Sequence, residues 1–381
     1  MKIRTITAGC NLSESSPSSN IKQVRQIAKD AKIIKQYFER HGYVVQTIRL
    51  STQPWECYAS TKKDLFEVCS FLQSLCPDSI DYFNVGPIST VDHSSWLFDL
   101  LKNYPQGFCT VNLVQQNQVQ IKLAWETAQL IKKISTIEDQ GFANLRFAAL
   151  CNVEANTPFY PASFHNGNPS FGIGCENSDI IYSTFSNVNS YEEAVERLKE
   201  KLTSEYQKIE HIAHKACKHT SISFHGIDPS ISPSVNSHES LVYGIEQLPF
   251  VDYFGGPGTL TTARLITSVL QDLPINNCGY TGLMLPVLED SGLAKRNKEG
   301  KLSLTKLLFY SSVCGTGLDT IPLPGDIKVE TLYGILLDVA TLSTKLQKPL
   351  SARLMPIPTK NAGDETNFDF EYFENTTVMS H

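Results

Sequence analysis

Apolar and polar positions alternate along this chain with two periods, one typical of strands and one typical of helices. Short apolar or β-branched runs predict strands over residues 3–8, 43–50, 81–87, 108–113, 146–153, 221–226 and 351–358. Apolar positions spaced by three or four residues predict helices over residues 21–41, 62–76, 123–136, 190–218, 259–273 and 332–346. This alternation predicts an α/β fold with much parallel strand pairing. Because no internal repeat or low-complexity linker interrupts it, we expect a single domain over residues 1–381.

The composition narrows the class of protein. With 381 residues, 41% of them hydrophobic, the chain can bury a large core. A net charge of −6 argues against a nucleic-acid partner, and no apolar run of about 18 residues predicts a membrane span. Ten cysteines are scattered without a Cys-x-x-Cys pair, which favours reduced thiols. We therefore expect a cytoplasmic protein that binds a small molecule, and a homo-oligomeric state stays open.

Residues 314–326 (CGTGLDTIPLPGD) form the densest cluster of special residues, directly after an apolar, helix-like run at 302–313. Proline fixes φ and glycine opens conformations that other residues avoid, so the segment predicts a loop of fixed shape. Such a loop could project Cys314 and Asp319 into an active site. The alternative is a turn whose aspartates accept hydrogen bonds from backbone N–H groups.

Polar loops follow several of the predicted strands, and in α/β proteins ligands bind where strands end. Four of these loops contribute the carboxylates of Asp228, Glu289, Asp319 and Asp364. If they converge, they predict a site for Mg²⁺, Mn²⁺ or Ca²⁺, because hard cations prefer oxygen ligands. The alternative is that each carboxylate is separately solvated, which is the commonest fate of Asp and Glu. The identity of any cofactor therefore stays open.

The loop after the predicted strand 146–153 contains further candidates. Glu154 and His165 could act as acid or base beside Asp319 and Cys314. Asn152 and Asn156 in the same loop are candidates for substrate binding.

Two other clusters have a structural explanation at least as good as a functional one. Residues 255–258 (GGPG) precede a predicted helix, and Gly256 and Gly258 could present backbone N–H groups to a phosphate or carboxylate. A glycine-rich hinge or turn fits the same residues. The cluster of histidines and a cysteine over 211–219 could bind zinc, but cations near a helix C-terminus are favourable in any case.

Several segments together resemble the uncharacterised DUF711 (UPF0210) family. They include FNVG at 83–86, NVEANTPF at 152–159, GIDPSISP at 226–233, CGTGLD at 314–319 and RLMPIP at 353–358. The family is grouped with glycyl-radical-enzyme-like proteins such as pyruvate formate-lyase. The resemblance therefore implies a barrel-like sheet of that type surrounded by helices, and it adds Arg353 as a candidate for substrate binding. It implies no particular reaction.

Glycyl-radical chemistry does not follow from the resemblance. Those enzymes need a glycine in an Arg-Val-x-Gly-Tyr-like segment near the C-terminus, and residues 368–381 contain no glycine. Two function classes remain: a small-molecule enzyme with a carboxylate-rich site near Cys314, and a binding or regulatory protein that keeps the barrel without catalysis. The many ionisable groups in fixed loops favour the enzyme slightly.

Overall fold

A mixed sheet of nine strands lies at the centre of the computed structural model, which describes residues 1–14 and 17–380. The strands of the chain are β1 (Lys2–Cys10), β2 (Val45–Thr52), β3 (Tyr82–Ile88), β4 (Gly107–Asn112), β5 (Val114–Gln115), β6 (Gln118–Val119), β7 (Phe147–Cys151), β8 (Ser170–Glu176), β9 (Ser223–Asp228), β10 (Gly317–Pro324) and β11 (Leu350–Ile357). The central sheet has the spatial order β10-β11-β7-β4-β3-β2-β1-β8-β9, and β5 pairs only with β6.

The central sheet consists of strand groups that run in opposite directions. Strands β1, β2, β3, β4 and β7 pair in parallel with one another. Strand β8 is antiparallel to β1 and parallel to β9, while β11 is antiparallel to β7 and parallel to β10. The carboxyl ends of the strands therefore lie at two opposite edges of the sheet.

Helices flank this sheet and cover its outer face. They are α1 (Pro17–Arg40), α2 (Lys62–Gln73), α3 (Ser94–Asn103), α4 (Ile121–Ile134), α5 (Ser178–Phe185), α6 (Tyr191–Cys217), α7 (Leu241–Ile245), α8 (Thr259–Gln271), α9 (Ser291–Lys298), α10 (Leu304–Ser311) and α11 (Val329–Leu346). Helix α1 shows why they pack there: Val24, Ile27, Ala31, Ile34 and Phe38 are buried at helical spacing, and the helix contacts β1 and β2. None of the described helices combines the length and apolar character needed to cross a bilayer.

Segment 276–287 lies beside both edge strands of the sheet. On one side, the Cys278 N–H donates to the Ile227 carbonyl of β9 at 3.0 Å. Shortly after β9 ends, the Ile231 N–H donates to the Gly282 carbonyl at 3.0 Å. On the other side, the Val287 N–H donates to the Asp319 carbonyl of β10 at 3.1 Å. These contacts are isolated bridges, so the strands of the described residues still form an open sheet.

Bulges interrupt the pairing at two charged positions. Leu318 pairs with Ala352 and Ile321 with Leu354, so Asp319 and Thr320 together lie opposite the single residue Arg353. Thr320 adopts φ 41°, a left-handed conformation that few non-glycine residues take. In β1 the register against β8 shifts in the same way around Arg4. Because a bulge re-aims a side chain, both irregularities affect where a charge points.

The structure confirms the predicted α/β class and most of the predicted elements. The helix predicted over 190–218 is Tyr191–Cys217, and its start is fixed by the Ser190 hydroxyl, which accepts from the Glu193 N–H at 3.1 Å. The prediction of a loop over 314–326 was wrong for most of its length, because Gly317–Pro324 is strand β10. The prolines misled the prediction. They are tolerated here because β10 is an edge strand, where a missing N–H costs little.

Candidate functional site

A cavity of about 700 Å³ lies against one face of the central sheet. Six neighbouring strands contribute to its floor. In their spatial order, the residues are Arg49 (β2), Tyr82 (β3), Phe108 (β4), Ala148 (β7), Arg353 (β11) and Asp319 (β10). The walls include Tyr160, Tyr280, Met284 and Glu289 from the connecting segments, and Arg4 of β1 lines the cavity from the strand next to β2. The size is typical of a site for a small organic molecule.

Four charged side chains of the cavity form one continuous ion-pair network. Arg353 donates from Nε to Asp319 Oδ1 and from Nη2 to Glu289 Oε1, both at 2.6 Å. Arg4 Nη2 donates to the other oxygen of Glu289, also at 2.6 Å. The side chains of Arg353 and Glu289 are each only 9% exposed. Charges this deeply buried need partners, and here the guanidinium groups neutralise the carboxylates.

The network affects its two carboxylates differently. Burial alone would raise the pKa of Glu289, but Arg353 and Arg4 outweigh it and hold that pKa below the usual value. For Asp319, burial raises the pKa; Arg353 opposes the rise and the nearby charge of Glu289 adds to it, so the pKa stays above the usual value. The pKa values of two carboxylates in one network are thus shifted in opposite directions, and acid–base sites share this pattern.

Arg49 is the charged group of the cavity floor without a counter-ion. Its Nε donates to the Thr47 hydroxyl at 3.1 Å, and its guanidinium lies 5.1 Å from the centre of the Tyr160 ring. No carboxylate of the described residues forms an ion pair with it. Burial, and then the like charge of Arg4, lower the pKa of Arg49 to about 10, although Tyr160, Tyr82 and the more distant charge of Glu289 oppose the change. The group is therefore still a cation at neutral pH. Such a cation favours an anion in the cavity.

The predicted cluster of metal-ligating carboxylates is only partly assembled. Glu289 and Asp319 do line the cavity. Asp228 instead ends β9, where it is buried and accepts from the Ser230 hydroxyl at 2.6 Å and the Tyr280 N–H at 2.8 Å. Asp364 accepts from the Asn361 N–H at 2.7 Å in a turn. In the part of the chain that the structure describes, no group of three or more His, Cys, Asp or Glu side chains could hold a metal ion.

The direction of the strands explains why Glu154 is separated from Asp228 and Asp364. Glu154 follows β7, which runs with β1 to β4, whereas Asp228 ends β9 and Asp364 follows β11, and both of these strands have the opposite direction. The ends of antiparallel strands lie at opposite edges of a sheet, so the Glu154 loop cannot meet the other two. Asp228 and Asp319 lie on strands of the same direction, but β9 and β10 are at opposite ends of the strand order. Glu154 is exposed and does not line the cavity.

The remaining predicted residues have structural contacts outside the cavity. Asn152 donates to the Ser343 hydroxyl at 3.1 Å, and Asn156 donates to the Asn166 carbonyl at 3.1 Å. Gly258 adopts φ 87° at the start of α8, and a Cβ on Gly256 would lie 2.8 Å from the Tyr253 ring. These geometries fit the turn that the sequence analysis kept as an alternative for residues 255–258.

Cys314 is buried next to Lys348 and does not line the cavity. Burial raises the pKa of the Cys314 thiol to about 11, although the charge of Lys348 opposes the rise. At neutral pH only on the order of one thiol in ten thousand would be ionised, and the thiolate is the reactive form. These facts favour a buried, inert thiol over the active-site thiol that the sequence suggested for this cysteine.

We therefore expect alkylation to spare Cys314. Iodoacetamide at pH 7 should label the exposed Cys57 at least tenfold faster than Cys314, as measured by peptide mass spectrometry over time. In a denaturant the two rates should become similar. Equal rates in the native protein would contradict the buried, neutral thiol and restore Cys314 as a nucleophile.

His165 is buried against β1, where its Nε2 lies 3.1 Å from the Asn168 carbonyl and 3.3 Å from that of Gly167. A Cβ on Gly9 would lie 2.4 Å from its Nδ1, so the ring fills a space that only glycine leaves open. Burial lowers the pKa of His165, although the two carbonyls oppose the change. The ring is therefore kept neutral in the folded protein.

This burial predicts a loss of stability in mild acid. Because the folded pKa of His165 is below the unfolded value near 6.5, the unfolded chain binds a proton first as the pH falls. The free energy of unfolding should then fall from pH 7 to 5 more steeply in the wild type than in His165→Asn. Urea titrations at each pH measure both slopes, and the exposed His211→Asn is the control. Identical slopes for wild type and His165→Asn would contradict the prediction.

Sequence analysis missed Arg4 and Arg49, the two guanidinium groups that complete the cavity. Each is a single charge inside an otherwise strand-like run, at residues 3–8 and 43–50. A charge in a strand of a sheet that helices cover on one face must point to the other face or be paired. That signal was present in the sequence. It could not be predicted which of the two arginines lacks a carboxylate partner, because this depends on tertiary contacts between distant segments.

Comparison with known proteins places the chain in a family. A family model described as "Uncharacterised ACR (DUF711)" matches residues 1–371. A UPF0210 protein of Ligilactobacillus salivarius is 24% identical over 398 residues, which cover 97% of this chain and 88% of that protein. A UPF0210 protein of Neisseria gonorrhoeae is 24% identical over 398 residues, with 96% and 87% covered. The family match spans nearly the whole sequence, and the chain therefore belongs to the DUF711 family.

Proposed function

We propose that this protein binds a small organic anion in the cavity against one face of its central sheet. The observation that carries the proposal is Arg49, a half-buried cation that faces the cavity without a carboxylate at ion-pair distance among the described residues. A partly desolvated charge without a partner costs free energy, and an anionic ligand would supply the missing partner. A carboxylate or phosphate oxygen accepting from guanidinium makes a charge-assisted hydrogen bond, which is stronger than a neutral one.

The neighbouring side chains support an organic ligand over a bare inorganic ion. Ala148, Phe159, Ala162 and Met284 belong to a small apolar cluster distinct from the main core, and all four line the cavity. Apolar surface of this kind favours the carbon skeleton of a ligand by about 25 cal/mol for each Å² that it covers. The cavity thus combines one unpaired cation with apolar walls, as small-molecule sites commonly do.

We also propose that segment 276–287 closes the sheet into the barrel-like wall that the resemblance to the pyruvate formate-lyase type implies. The support is the pair of backbone contacts that this segment makes with Ile227 and Asp319, one near each edge strand. Hydrogen exchange tests the proposal, since the amides of Cys278 and Val287 should exchange as slowly as those of the central strands. Exchange as fast as in exposed loops would contradict closure.

A second candidate function is catalysis by proton transfer at Asp319. Its place on the cavity floor and its hydrogen bond with Arg353 favour this role, and burial raises its pKa above the usual value, which is the direction that a general acid needs. Arg353 would then position the carboxyl group through its Nε hydrogen bond. Carboxyl ¹³C NMR on the wild type and Asp319→Asn tests the candidate. An Asp319 signal that titrates at or below the usual value near 3.9 would exclude it.

The binding proposal is tested with three probes: inorganic phosphate, propionate and 3-phenylpropionate. At millimolar concentration at least one should raise the melting temperature of the wild type, because a ligand that binds only the native state stabilises it. Arg49→Met should abolish the shift. The matched control is Arg25→Met, which removes an exposed arginine that lies 5.9 Å from the Phe71 ring, outside the cavity. Equal shifts in Arg49→Met and the wild type would contradict the proposal.

A further inference from the structure

We infer that the anion bound at Arg49 carries an aromatic ring, which lies over Tyr82 and Phe108. This inference rests on the proposed anion site and adds the chemical class of its ligand. It follows from the order of side chains across the sheet, since any molecule anchored at Arg49 must extend over its neighbours on the floor or leave the cavity.

The pairing register fixes what lies next to Arg49. Arg49 of β2 is the register partner of Tyr82 of β3, so these side chains stand side by side on one face. Phe108 of β4 comes next, with its ring centre 5.5 Å from that of Tyr82 in an edge-to-face arrangement. Beyond Phe108, the floor continues with Ala148 of β7, whose side chain is a single methyl group.

Tyr160 extends the aromatic surface around the cation. Its ring centre is 5.0 Å from that of Phe108, and the Arg49 guanidinium lies over the same ring. Tyr82 and Tyr160 therefore border Arg49, and the ring of Phe108 links these two rings. Aromatic rings attract one another edge to face or offset, because the positive ring edge meets the negative face of its neighbour. A ligand ring would add a fourth member to this cluster.

The far end of the floor limits the ligand to one anionic group near Arg49. Asp319 lies there on β10, and Glu289 of the cavity wall shares Arg353 with it and is also paired with Arg4. A second anionic group reaching them would meet two carboxylates. The small side chain of Ala148, between the rings and this carboxylate end, leaves room for the ring itself. The chemistry on the floor thus favours a monoanionic aromatic acid over an aliphatic diacid.

Isothermal titration with four probes tests this class. The probes are 3-phenylpropionate, 3-cyclohexylpropionate, propionate and the neutral 3-phenylpropionamide. We expect 3-phenylpropionate to bind most tightly, with propionate and the amide each at least tenfold weaker. The cyclohexyl compound has a similar apolar body without a ring quadrupole, so it should bind about threefold to tenfold more weakly than the phenyl compound.

Two variants connect the preference to the named residues. Phe108→Leu should remove the advantage of the phenyl over the cyclohexyl compound, while Phe309→Leu, at an exposed ring on α10, should keep it. The aromatic class would be overturned if 3-cyclohexylpropionate bound the wild type as tightly as 3-phenylpropionate, or if propionate bound within threefold of both. If that binding were still lost in Arg49→Met, the anion site would stand. No binding of any probe or of phosphate at about 10 mM would overturn both proposals.

Discussion

The Arg353→Met substitution is expected to lower the free energy of unfolding by about 3–5 kcal/mol. Arg353 holds Asp319 and Glu289 by hydrogen bonds of 2.6 Å in a place where all three side chains are at most 15% exposed. Without the guanidinium, Asp319 would lose its cation and Glu289 would keep only Arg4. Two neighbouring carboxylates would then have to take up protons or leave the cavity wall, and either change costs stability.

Urea unfolding at pH 7 measures this loss. The control is Lys298→Met, which breaks the exposed pair of Lys298 with Glu365 and should leave the free energy of unfolding almost unchanged. Acid should narrow the gap between Arg353→Met and the wild type, because protonation removes the repulsion between the two carboxylates. A loss below about 1 kcal/mol for Arg353→Met at pH 7 would contradict the network described here.

The Arg49→Met substitution is expected to act in the opposite way, weakening anion binding without a comparable loss of stability. A charge-assisted hydrogen bond in a buried site is worth about 1.5–3 kcal/mol, so the affinity should fall by roughly 10- to 150-fold. The free energy of unfolding should stay within about 1 kcal/mol of the wild type or rise, because the variant no longer partly desolvates a cation that has no ion-pair partner. Methionine keeps the length of the side chain over the Tyr160 ring.

Titration calorimetry with 3-phenylpropionate and urea unfolding measure the two effects on the same protein sample. The pairing of Arg49→Met with Arg353→Met is informative because both remove one guanidinium from the same cavity. Only the arginine that has carboxylate partners should matter for stability. If Arg49→Met lost as much stability as Arg353→Met, Arg49 would be a structural residue, and the reason for an anion site would disappear.

The elements of this fold were largely predictable because their signals are local. The helical spacing of Val24, Ala31 and Phe38 and the cap at Ser190 are contained in short segments of sequence. Strand β10 was not predictable in this way, since Pro322 and Pro324 are normal signs of a loop. They fit a strand only because β10 lies at an edge, and the strand order is not a local property.

The residue types of the candidate site could be predicted from the sequence, but the position of the site in the fold was harder to predict. Glu289, Asp319 and Arg353 were all candidates, and the cavity brings these three together. We expected the site at strand ends, but Asp319 and Arg353 lie within β10 and β11, and a bulge puts Asp319 and Thr320 opposite Arg353. Bulges and strand directions arise from pairing between distant segments, so neither could be inferred from the sequence alone.

The most direct test of the account is a crystal structure of the wild-type protein with 3-phenylpropionate at millimolar concentration. The account predicts the ligand inside the cavity, with a carboxylate oxygen within hydrogen-bond distance of the Arg49 guanidinium and the ring against Tyr82 and Phe108. A ligand bound only on the outer surface, or a cavity ligand whose carboxylate lies away from Arg49, would contradict the claim that Arg49 is the anchor of an anion site.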